Sequence, residues 1–306
     1  MISTARFFSA TLGRLLPRYR TCDEWAIDYR QIIDQLPVCD HTKRNRLCSL
    51  AHLLQHIGGL VIGSVKPLAI GKMIRDIAAA HSSQTAKRAL FETRAFFNEA
   101  LLAGWIDHNP AAPIKAPRVR ISRNRMSLDH WLAIRAWSAA SQPPWCCRML
   151  DLALVTAQRR SDLSTMGEDD VWNGHLHVIQ QKTGTRLALP VGLRLEAIGK
   201  SIADVINDCA GYSAPGQTFL RRQSGGHLGD ASLSARFEQA REGSGLHWDT
   251  GTPPSLHECR SLSERLYRVQ GIDTRVLLGH KHQAMTDAYN DDRGLSSGKW
   301  QVLELI

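Results

Sequence analysis

Apolar residues recur at helical spacing in four runs along the first third of the chain. In the first run, Trp25, Tyr29, Ile33 and Leu36 follow one another at three- and four-residue steps until Pro37, which is the spacing of one helix face. The four runs cover residues 21–37, 42–57, 65–80 and 83–103. Together they predict a small all-helical domain over residues 21–110.

From Ser127 onward, helical and alternating patterns are mixed. Ser127 is placed to cap the first of two predicted helices. The stretch from His175 to Pro190 alternates polar and apolar residues around Thr183–Gly184, which predicts a β-hairpin. Helices are also expected over residues 191–208 and 232–243, with a glycine-rich loop over 210–229. The chain is therefore predicted to be α+β, mainly α, with a small antiparallel sheet in a second domain over residues 127–306.

The composition is that of a basic globular protein. The chain has 306 residues, of which 43% are hydrophobic and 22% charged, and carries a formal charge of +9 with a pI near 9.4. This length suffices for one large core or two smaller ones. The charge favours a polyanionic partner, although a basic protein without such a partner remains possible on charge alone.

Several kinds of protein are excluded by what the sequence lacks. No run of about 18 apolar residues occurs, so no membrane span is expected. The N-terminus has no signal-peptide cleavage pattern. The seven cysteines are odd in number and irregularly placed, which is typical of reduced thiols in a cytoplasm. His257 and Cys259 have no second ligand pair at zinc spacing, so no metal site is predicted.

Basic residues cluster in a short tail over residues 1–20 and in a segment over residues 111–126. The second segment contains two prolines and no acidic residue. An unstructured basic segment between two domains is suited to following a phosphate backbone, with a plain spacer as the alternative. The residues expected to contact DNA are Lys43, Arg44, Lys87 and Arg88 in the helical domain and Lys115, Arg118, Arg120, Arg123 and Arg125 in the segment. Taken singly, each helical lysine or arginine is more simply a solvated surface residue.

The candidate chemistry lies in residues 256–289. His257 and Arg260 are three residues apart, so on a helix they share one face. His280 follows Gly279, a residue that commonly ends a helix. Tyr289 lies in a polar run. Arginine binds phosphate oxygens through a planar fork of donors, histidine moves protons near neutral pH, and tyrosine can attack to form a covalent intermediate. All four side chains suit work on a phosphodiester.

Four boxes of sequence occur in one order. His257-x-x-Arg260 is followed by Leu-Leu-Gly-His280 and then by Tyr289. Upstream, residues 156–163 read Thr-Ala-Gln-Arg-Arg-Ser-Asp-Leu, and residues 181–184 read Gln-Lys-Thr-Gly. With these boxes the chain resembles the tyrosine recombinases, the phage integrase family. One box alone would be weak evidence for the family, whereas four boxes in the family order are specific to it.

The resemblance implies six catalytic residues and their roles. They are Arg159, Lys182, His257, Arg260, His280 and Tyr289. Tyrosine would attack the scissile phosphate, the arginines would stabilise it, lysine would protonate the leaving 5′-oxygen, and the histidines would assist. The product would be a 3′-phosphotyrosyl link, formed without a metal or cofactor.

Partners and location follow from the same resemblance. We expect double-stranded DNA at attachment or core sites, a homotetramer on that DNA, and a DNA-bending accessory protein, in the cytoplasm of a bacterial host near the nucleoid. The helical domain would be a SAM-like core-binding domain. The C-terminal tail would pack on a neighbouring subunit as an added strand, or else in cis.

Two details of the arginine box are open. Register places Arg159 rather than Arg160 at the family position, and a salt bridge to Asp162 is the plainer role for it. Ala157 stands where the family has glycine, which would alter the turn if φ must be positive.

Other functions remain as alternatives. A type IB topoisomerase would use the same chemistry to relax DNA, and a non-catalytic relic would only occupy attachment sites. Some family members carry an extra N-terminal domain for arm sites, whereas about twenty residues precede the first predicted helix here, too few for a domain. We expect that the protein works without arm sites, that the gene start is truncated, or that a partner supplies that function.

Overall fold

The computed structural model describes residues 19–119, 123–211, 216–248 and 251–289. Most of the basic N-terminal tail, Arg120 and the tail after Tyr289 lie outside the described residues. The chain divides into two compact units, Met1–Ile121 and Ser122–Ile306. Each unit has its own hydrophobic core.

The first unit contains the four predicted helices. They are α1 (Cys22–Gln35), α2 (Asp40–Ile57), α3 (Pro67–Ala80) and α4 (Ser83–Leu102), with a short 3-10 turn at Ile62–Ser64. Local sequence sets their starts: the Thr21 hydroxyl accepts from the Glu24 amide in a capping box, and Ser82 caps α4. Every predicted end lies within two residues of the observed end, so the spacing argument is confirmed.

Aromatic side chains fill the core of the first unit. Trp25, Tyr29 and Phe96 are buried, and the Tyr29 and Phe96 rings meet edge to face at 5.2 Å, a favoured aromatic geometry. The Tyr29 hydroxyl donates to Glu92 at 2.6 Å, and Arg46 pairs with the same carboxylate at 2.9 Å. This pairing satisfies a carboxylate that would otherwise be costly to bury.

The second unit mixes helices with two small sheets. Its helices are α5 (Leu128–Ser141), α6 (Pro144–Thr156), α7 (Arg160–Leu163), α8 (Ile202–Ala210), α9 (Asp230–Gly243), α10 (Glu258–Val269), α11 (Thr274–Leu278) and α12 (Gln283–Asp287). Its strands are β1 (Val171–Trp172), β2 (His175–Ile179), β3 (Arg186–Pro190), β4 (Arg194–Leu195) and β5 (Lys200–Ser201). The predicted class, mainly helical with small antiparallel sheets, is confirmed.

The predicted hairpin is present as β2 and β3. The two strands pair antiparallel from His175 opposite Pro190 to Ile179 opposite Arg186, and β1 pairs with β2 on the other side. The helix expected over residues 191–208 is partly wrong, because β4 and β5 pair with each other there. Gly199 has φ +63°, and this turn stops any helix before α8.

Helix α6 lies at the centre of the second core. Its residues from Met149 to Thr156 are all buried, as expected for a helix that is apolar nearly all round. Asp151 is the one charged residue in this buried stretch, and Arg135 donates two hydrogen bonds to its carboxylate at 2.5 and 2.7 Å. The helix therefore provides a rigid base for the segment that follows it.

Helix α6 ends at Ala157, which adopts the left-handed conformation with φ 56° and ψ 19°. Glycine adopts this conformation at no steric cost, whereas a Cβ makes it unfavourable. The turn at this box therefore does have a positive φ, and Ala157 adopts it with conformational strain.

Among the described residues, no helix is both long and apolar enough to cross a membrane.

Replacing Ala157 with glycine should stabilise the second unit. Relief of the left-handed alanine is worth on the order of 1 kcal/mol, so we expect a higher Tm in thermal unfolding followed by circular dichroism. Ala153→Gly in the middle of α6 is the matched control and should lower the Tm, because glycine weakens a helix interior. An Ala157→Gly variant that unfolds at a lower temperature than the unaltered protein would contradict the strain.

Candidate active site

Arg260 is a buried cation at the start of α10. Only 1% of the residue is exposed. One terminal nitrogen donates to the Ala157 carbonyl and the other to the Leu278 carbonyl, both at 2.6 Å. Burial, then the charge of Arg159, lowers the pKa of Arg260 to about 10, so the guanidinium stays charged at neutral pH. The left-handed turn at Ala157 thus supplies one of the two carbonyls that orient this side chain.

A buried glutamine connects Arg159 to the same carbonyl. Arg159 donates to Gln180 Oε1 at 2.8 Å, and Gln180 Nε2 donates to the Leu278 carbonyl at 3.0 Å. The alternative salt bridge from Arg159 to Asp162 is not formed; Asp162 instead accepts from the Gln181 amide at 2.9 Å. The Leu278 carbonyl therefore helps to fix both arginines, Arg260 directly and Arg159 through Gln180.

His280 is held between Arg260 and Thr286. Gly279 ends α11 with φ 64°, as the sequence predicts, and His280 follows it. Its Nε2 lies 3.2 Å from an Arg260 nitrogen, and its Nδ1 lies 3.0 Å from Thr286 Oγ1. Because arginine can only donate, Nε2 must accept and Nδ1 carries the proton. Burial, followed by the charges of Arg260 and Arg159, lowers the pKa of His280 to about 4.

Tyr289 faces the histidines and Arg260. Its hydroxyl lies 3.2 Å from His257 Nε2, and its ring centroid lies 5.4 Å from that of His280. The Arg260 Cζ atom is 5.9 Å from the centre of the same ring. The structure therefore places the phenol inside the arginine–histidine cluster.

His257 precedes α10 directly and feels several positive charges. Part of the residue is exposed, and its ring centroid lies 5.8 Å from that of Tyr289. Burial and then neighbouring cations lower the pKa of His257 to about 4. Those cations are Arg260, Arg123, Arg159 and Lys182. At neutral pH His257 is neutral and can accept a proton.

Lys182 lies in the turn between β2 and β3, as predicted, and is exposed. Its charge acts on His257, so the turn holds the ammonium near the cluster. Within the described residues no carboxylate pairs with Lys182, Arg159 or Arg260, and no group of three or more His, Cys, Asp or Glu residues could hold a metal ion. Several cations without acidic partners form a site for an anion such as phosphate.

The predicted DNA-contact residues have different surroundings. Arg44, Arg88, Lys115, Arg118 and Arg123 are exposed. Lys43 donates to the Asp34 carbonyl and is partly buried. Lys87 lies 5.8 Å from the Phe91 ring centre. The exposed side chains can reach a nucleic acid, whereas the Lys43 ammonium is already engaged.

Arg125 lies in the protein interior rather than at the surface. Only 4% of it is exposed, and its guanidinium pairs with the equally buried Glu258 at 3.2 Å. In this position the side chain faces protein rather than solvent, so the structure does not support the prediction that Arg125 contacts DNA. Exposure falls along this segment from Arg123, which is exposed, to Arg125, which is buried.

Gln180 and Glu258 are site residues that the sequence reasoning missed. Gln180 is two residues before Lys182, and Glu258 lies between His257 and Arg260. Both are polar residues inside the boxes, which was the available signal, but their burial depends on segments distant in sequence. Gln158 is a third: its amide donates to the Leu277 carbonyl at 3.0 Å and it accepts from Gln180 at 2.8 Å.

Known proteins of similar sequence come from phages and a prophage. Residues 129–294 match the Phage integrase family. The integrase of Enterobacteria phage P21 is 38% identical over 259 residues, which are 82% of this chain and 67% of that protein. Prophage integrase IntE of Escherichia coli (strain K12) is 36% identical over 307 residues, covering 96% of this chain and 78% of that one.

Solved structures of similar fold contain lambda integrase with DNA. A dimer of lambda integrase residues 75–356 bound to a COC′ core site matches with a TM-score of 0.87 at 30% identity, covering 94% of this chain and 100% of that one. A lambda integrase tetramer bound to a Holliday junction matches with a TM-score of 0.87 at 29% identity, covering 97% and 83%.

The two site histidines should titrate in acid and respond to an anion. In the free protein, NMR of ¹³C-labelled histidine should give midpoints near pH 4 for His257 and His280, since a lowered pKa means that the proton is taken up only in acid. Sulfate should raise both midpoints, because a nearby negative charge favours the protonated ring. Chloride at equal ionic strength should raise them less. A midpoint at or above 6.5 for either histidine in the free protein would contradict the site electrostatics.

Proposed function

The chain belongs to the phage integrase family, and on that premise we propose that Tyr289 cleaves and rejoins DNA through a 3′-phosphotyrosyl intermediate in site-specific recombination. One observation carries the assignment: the Tyr289 hydroxyl lies 3.2 Å from the neutral His257, inside a cluster of cations. The contacts among His257, Arg260, His280 and Tyr289 argue against a non-catalytic relic. The charges of Arg159 and Lys182, which act on His257, give the same indication.

The first step is attack by the phenol on a backbone phosphate. The Tyr289 oxygen forms a bond to phosphorus, and the bond from phosphorus to the 5′-oxygen breaks. Attack requires the phenol to lose its proton, and His257 Nε2 is within hydrogen-bond reach to take it. A covalent link divides one difficult displacement into two easier ones and keeps the bond energy for rejoining.

Arg159 and Arg260 stabilise the charge that grows on the non-bridging oxygens. Both guanidiniums are fixed before DNA arrives, Arg260 by two main-chain carbonyls and Arg159 by Gln180. Donors that need no rearrangement at the moment of reaction are the most effective electrostatic catalysts. His280 Nε2 accepts from Arg260, so we assign it the role of orienting that guanidinium beside the nucleophile.

Lys182 protonates the leaving 5′-oxygen. It is exposed on a turn between two strands, so its ammonium can move over a bound strand. The proton passes from lysine to the 5′-oxygen as the phosphorus–oxygen bond breaks, and the reverse transfer accompanies rejoining. No metal or organic cofactor enters this balance.

DNA and further copies of the chain complete the reaction. Lambda integrase has been solved as a dimer on a core site and as a tetramer on a Holliday junction. We propose that this chain likewise binds a duplex core site and that a homotetramer exchanges strands pairwise between two duplexes, with a DNA-bending accessory protein assisting.

The division of labour between the two units belongs to the same proposal. We assign core-site binding to the helical unit around residues 21–110, backbone contacts to the basic segment over 111–126, and catalysis to residues 127–306. Exposed Arg44, Arg88, Lys115, Arg118 and Arg123 are the side chains that would meet phosphates.

Tyr289→Phe should abolish covalent capture of DNA. With a suicide substrate nicked beside the cleavage point, the unaltered protein should form an adduct that survives denaturing electrophoresis, and the variant should form none because it lacks the attacking oxygen. Tyr19→Phe is the matched control and should leave the adduct yield unchanged. Adduct from Tyr289→Phe at the normal yield would show that another residue is the nucleophile. Plasmid relaxation without paired sites, and no recombinant product, would favour a topoisomerase.

Lys182→Ala should be rescued by a better leaving group. On ordinary DNA we expect cleavage to slow by about 100-fold or more, as for loss of a general acid. On DNA with sulfur in place of the bridging 5′-oxygen, the rate should approach that of the unaltered protein, because a thiolate with a pKa of about 8.5 leaves without a proton. Arg159→Lys should remain slow on both substrates, since a point charge does not replace the planar fork. Equal slowing of Lys182→Ala on both substrates would remove lysine from this role.

A further inference from the structure

Arg125 and Glu258 form an ion pair that is buried directly beside the proposed nucleophile. Each side chain is 4% exposed. One terminal nitrogen of Arg125 reaches both Glu258 oxygens, at 3.3 and 3.2 Å. Burial of two charges is costly and is repaid only when their hydrogen bonds are satisfied. We therefore expect this buried pair to fix the position of a neighbouring segment of the chain.

The other terminal nitrogen of Arg125 holds the chain next to Tyr289. It donates to the Ala288 carbonyl at 2.6 Å. Glu258, which orients this guanidinium, stands between His257 and Arg260. Adjacent residues therefore serve both contacts. His257 meets the Tyr289 hydroxyl, and Glu258 orients the arginine that binds the Ala288 carbonyl.

The segment over residues 283–289 is held mainly by polar contacts. Of these residues only Thr286 is buried, so apolar packing contributes little to its position. Among the described residues, the other side chains that contact it are His257 at the Tyr289 hydroxyl (3.2 Å), His280 at Thr286 (3.0 Å), Ser261 at the Tyr289 carbonyl (3.1 Å) and Arg268 at Asp287 (3.5 Å). The bond from Arg125 is the shortest of these and comes from a fixed, buried side chain.

We propose that Arg125, oriented by Glu258, is a positioning residue that keeps the Tyr289 segment docked for attack by its own subunit's active site. The inference rests on the proposed function, since it assigns to Arg125 the placement of that nucleophile. Arg123, two residues earlier, is exposed and its charge acts on His257. The basic segment therefore presents one arginine outward to the anion site and turns the next inward to hold the tyrosine.

The central experiment compares Arg125→Met with Arg194→Met. Arg194 makes the same kinds of contact, a carboxylate of Asp204 at 3.3 Å and the Gly199 carbonyl, but its side chain is 48% exposed. In single-turnover cleavage of the nicked substrate, Arg125→Met should lower the rate of adduct formation by about 100-fold, as expected when a reacting group is misplaced. Its Kd for an intact core duplex should stay within threefold. Arg194→Met should change neither quantity.

A second measurement observes the nucleophile directly. With 3-fluorotyrosine incorporated, the ¹⁹F signal of residue 289, assigned through Tyr289→Phe, should move toward the position of free fluorotyrosine in Arg125→Met. The NMR titrations of His257 and His280 should stay below pH 6.5. A general loss of structure would return both histidine midpoints to the free value of about 6.5, whereas loss of positioning moves the tyrosine signal while both midpoints stay below that value.

Conservative variants cover the case in which Arg125→Met does not fold. Arg125→Lys keeps the charge but reaches one partner, and Glu258→Gln keeps the shape but not the charge; each should slow adduct formation and shift the ¹⁹F signal by an intermediate amount. Normal adduct rates in a folded Arg125→Lys or Arg125→Met variant would overturn the proposal. So would a loss of rate that parallels a loss of DNA affinity, because Arg125 would then be a DNA contact. Absence of adduct from the unaltered protein would count against the proposed function itself.

Discussion

The hydrogen bonds of Arg260 to two main-chain carbonyls hold the second unit's site together. This guanidinium is buried and contacts Ala157 at the end of α6 and Leu278 at the end of α11. Gln180 brings Arg159 and the lysine hairpin to the same Leu278 carbonyl. Three segments far apart in sequence therefore meet because one buried cation needs partners. Carbonyls, unlike carboxylates, orient the charge without neutralising it.

The result is a cluster with surplus positive charge that is completed by an anion. Burial and neighbouring cations lower the pKa values of His257 and His280 to about 4, so the protein keeps both rings neutral while it keeps the arginines charged. In the proposed reaction, the neutral imidazole beside Tyr289 accepts the proton and the charged guanidiniums bind the phosphate. The alanine at position 157 shows that the turn is retained at a conformational cost, which fits strain located at a functional site.

Much of this arrangement was readable from the sequence. Apolar spacing gave the four helices of the first unit, alternation around Thr183–Gly184 gave the hairpin, and the order of the boxes gave the six candidate residues. Burial was harder to predict: Gln180 directly follows strand β2, and a polar side chain is ordinarily expected to face solvent. Its role depends on Leu278, which is 98 residues away. The burial of Arg125 likewise depends on distant residues, so nothing local distinguished it from the exposed Arg123. The turn at Gly199 allows β4 and β5 to pair where a helix was expected.

We expect Arg159 and Arg260 to bind one and the same phosphate while Tyr289 faces it. A structure of the protein on a nicked core duplex with vanadate in place of the scissile phosphate measures this most directly. We expect both guanidiniums to donate to equatorial oxygens of a single vanadium centre and the Tyr289 oxygen to occupy one apical position. Two guanidiniums on different phosphates, or an apical ligand other than Tyr289 from the same subunit, would contradict it.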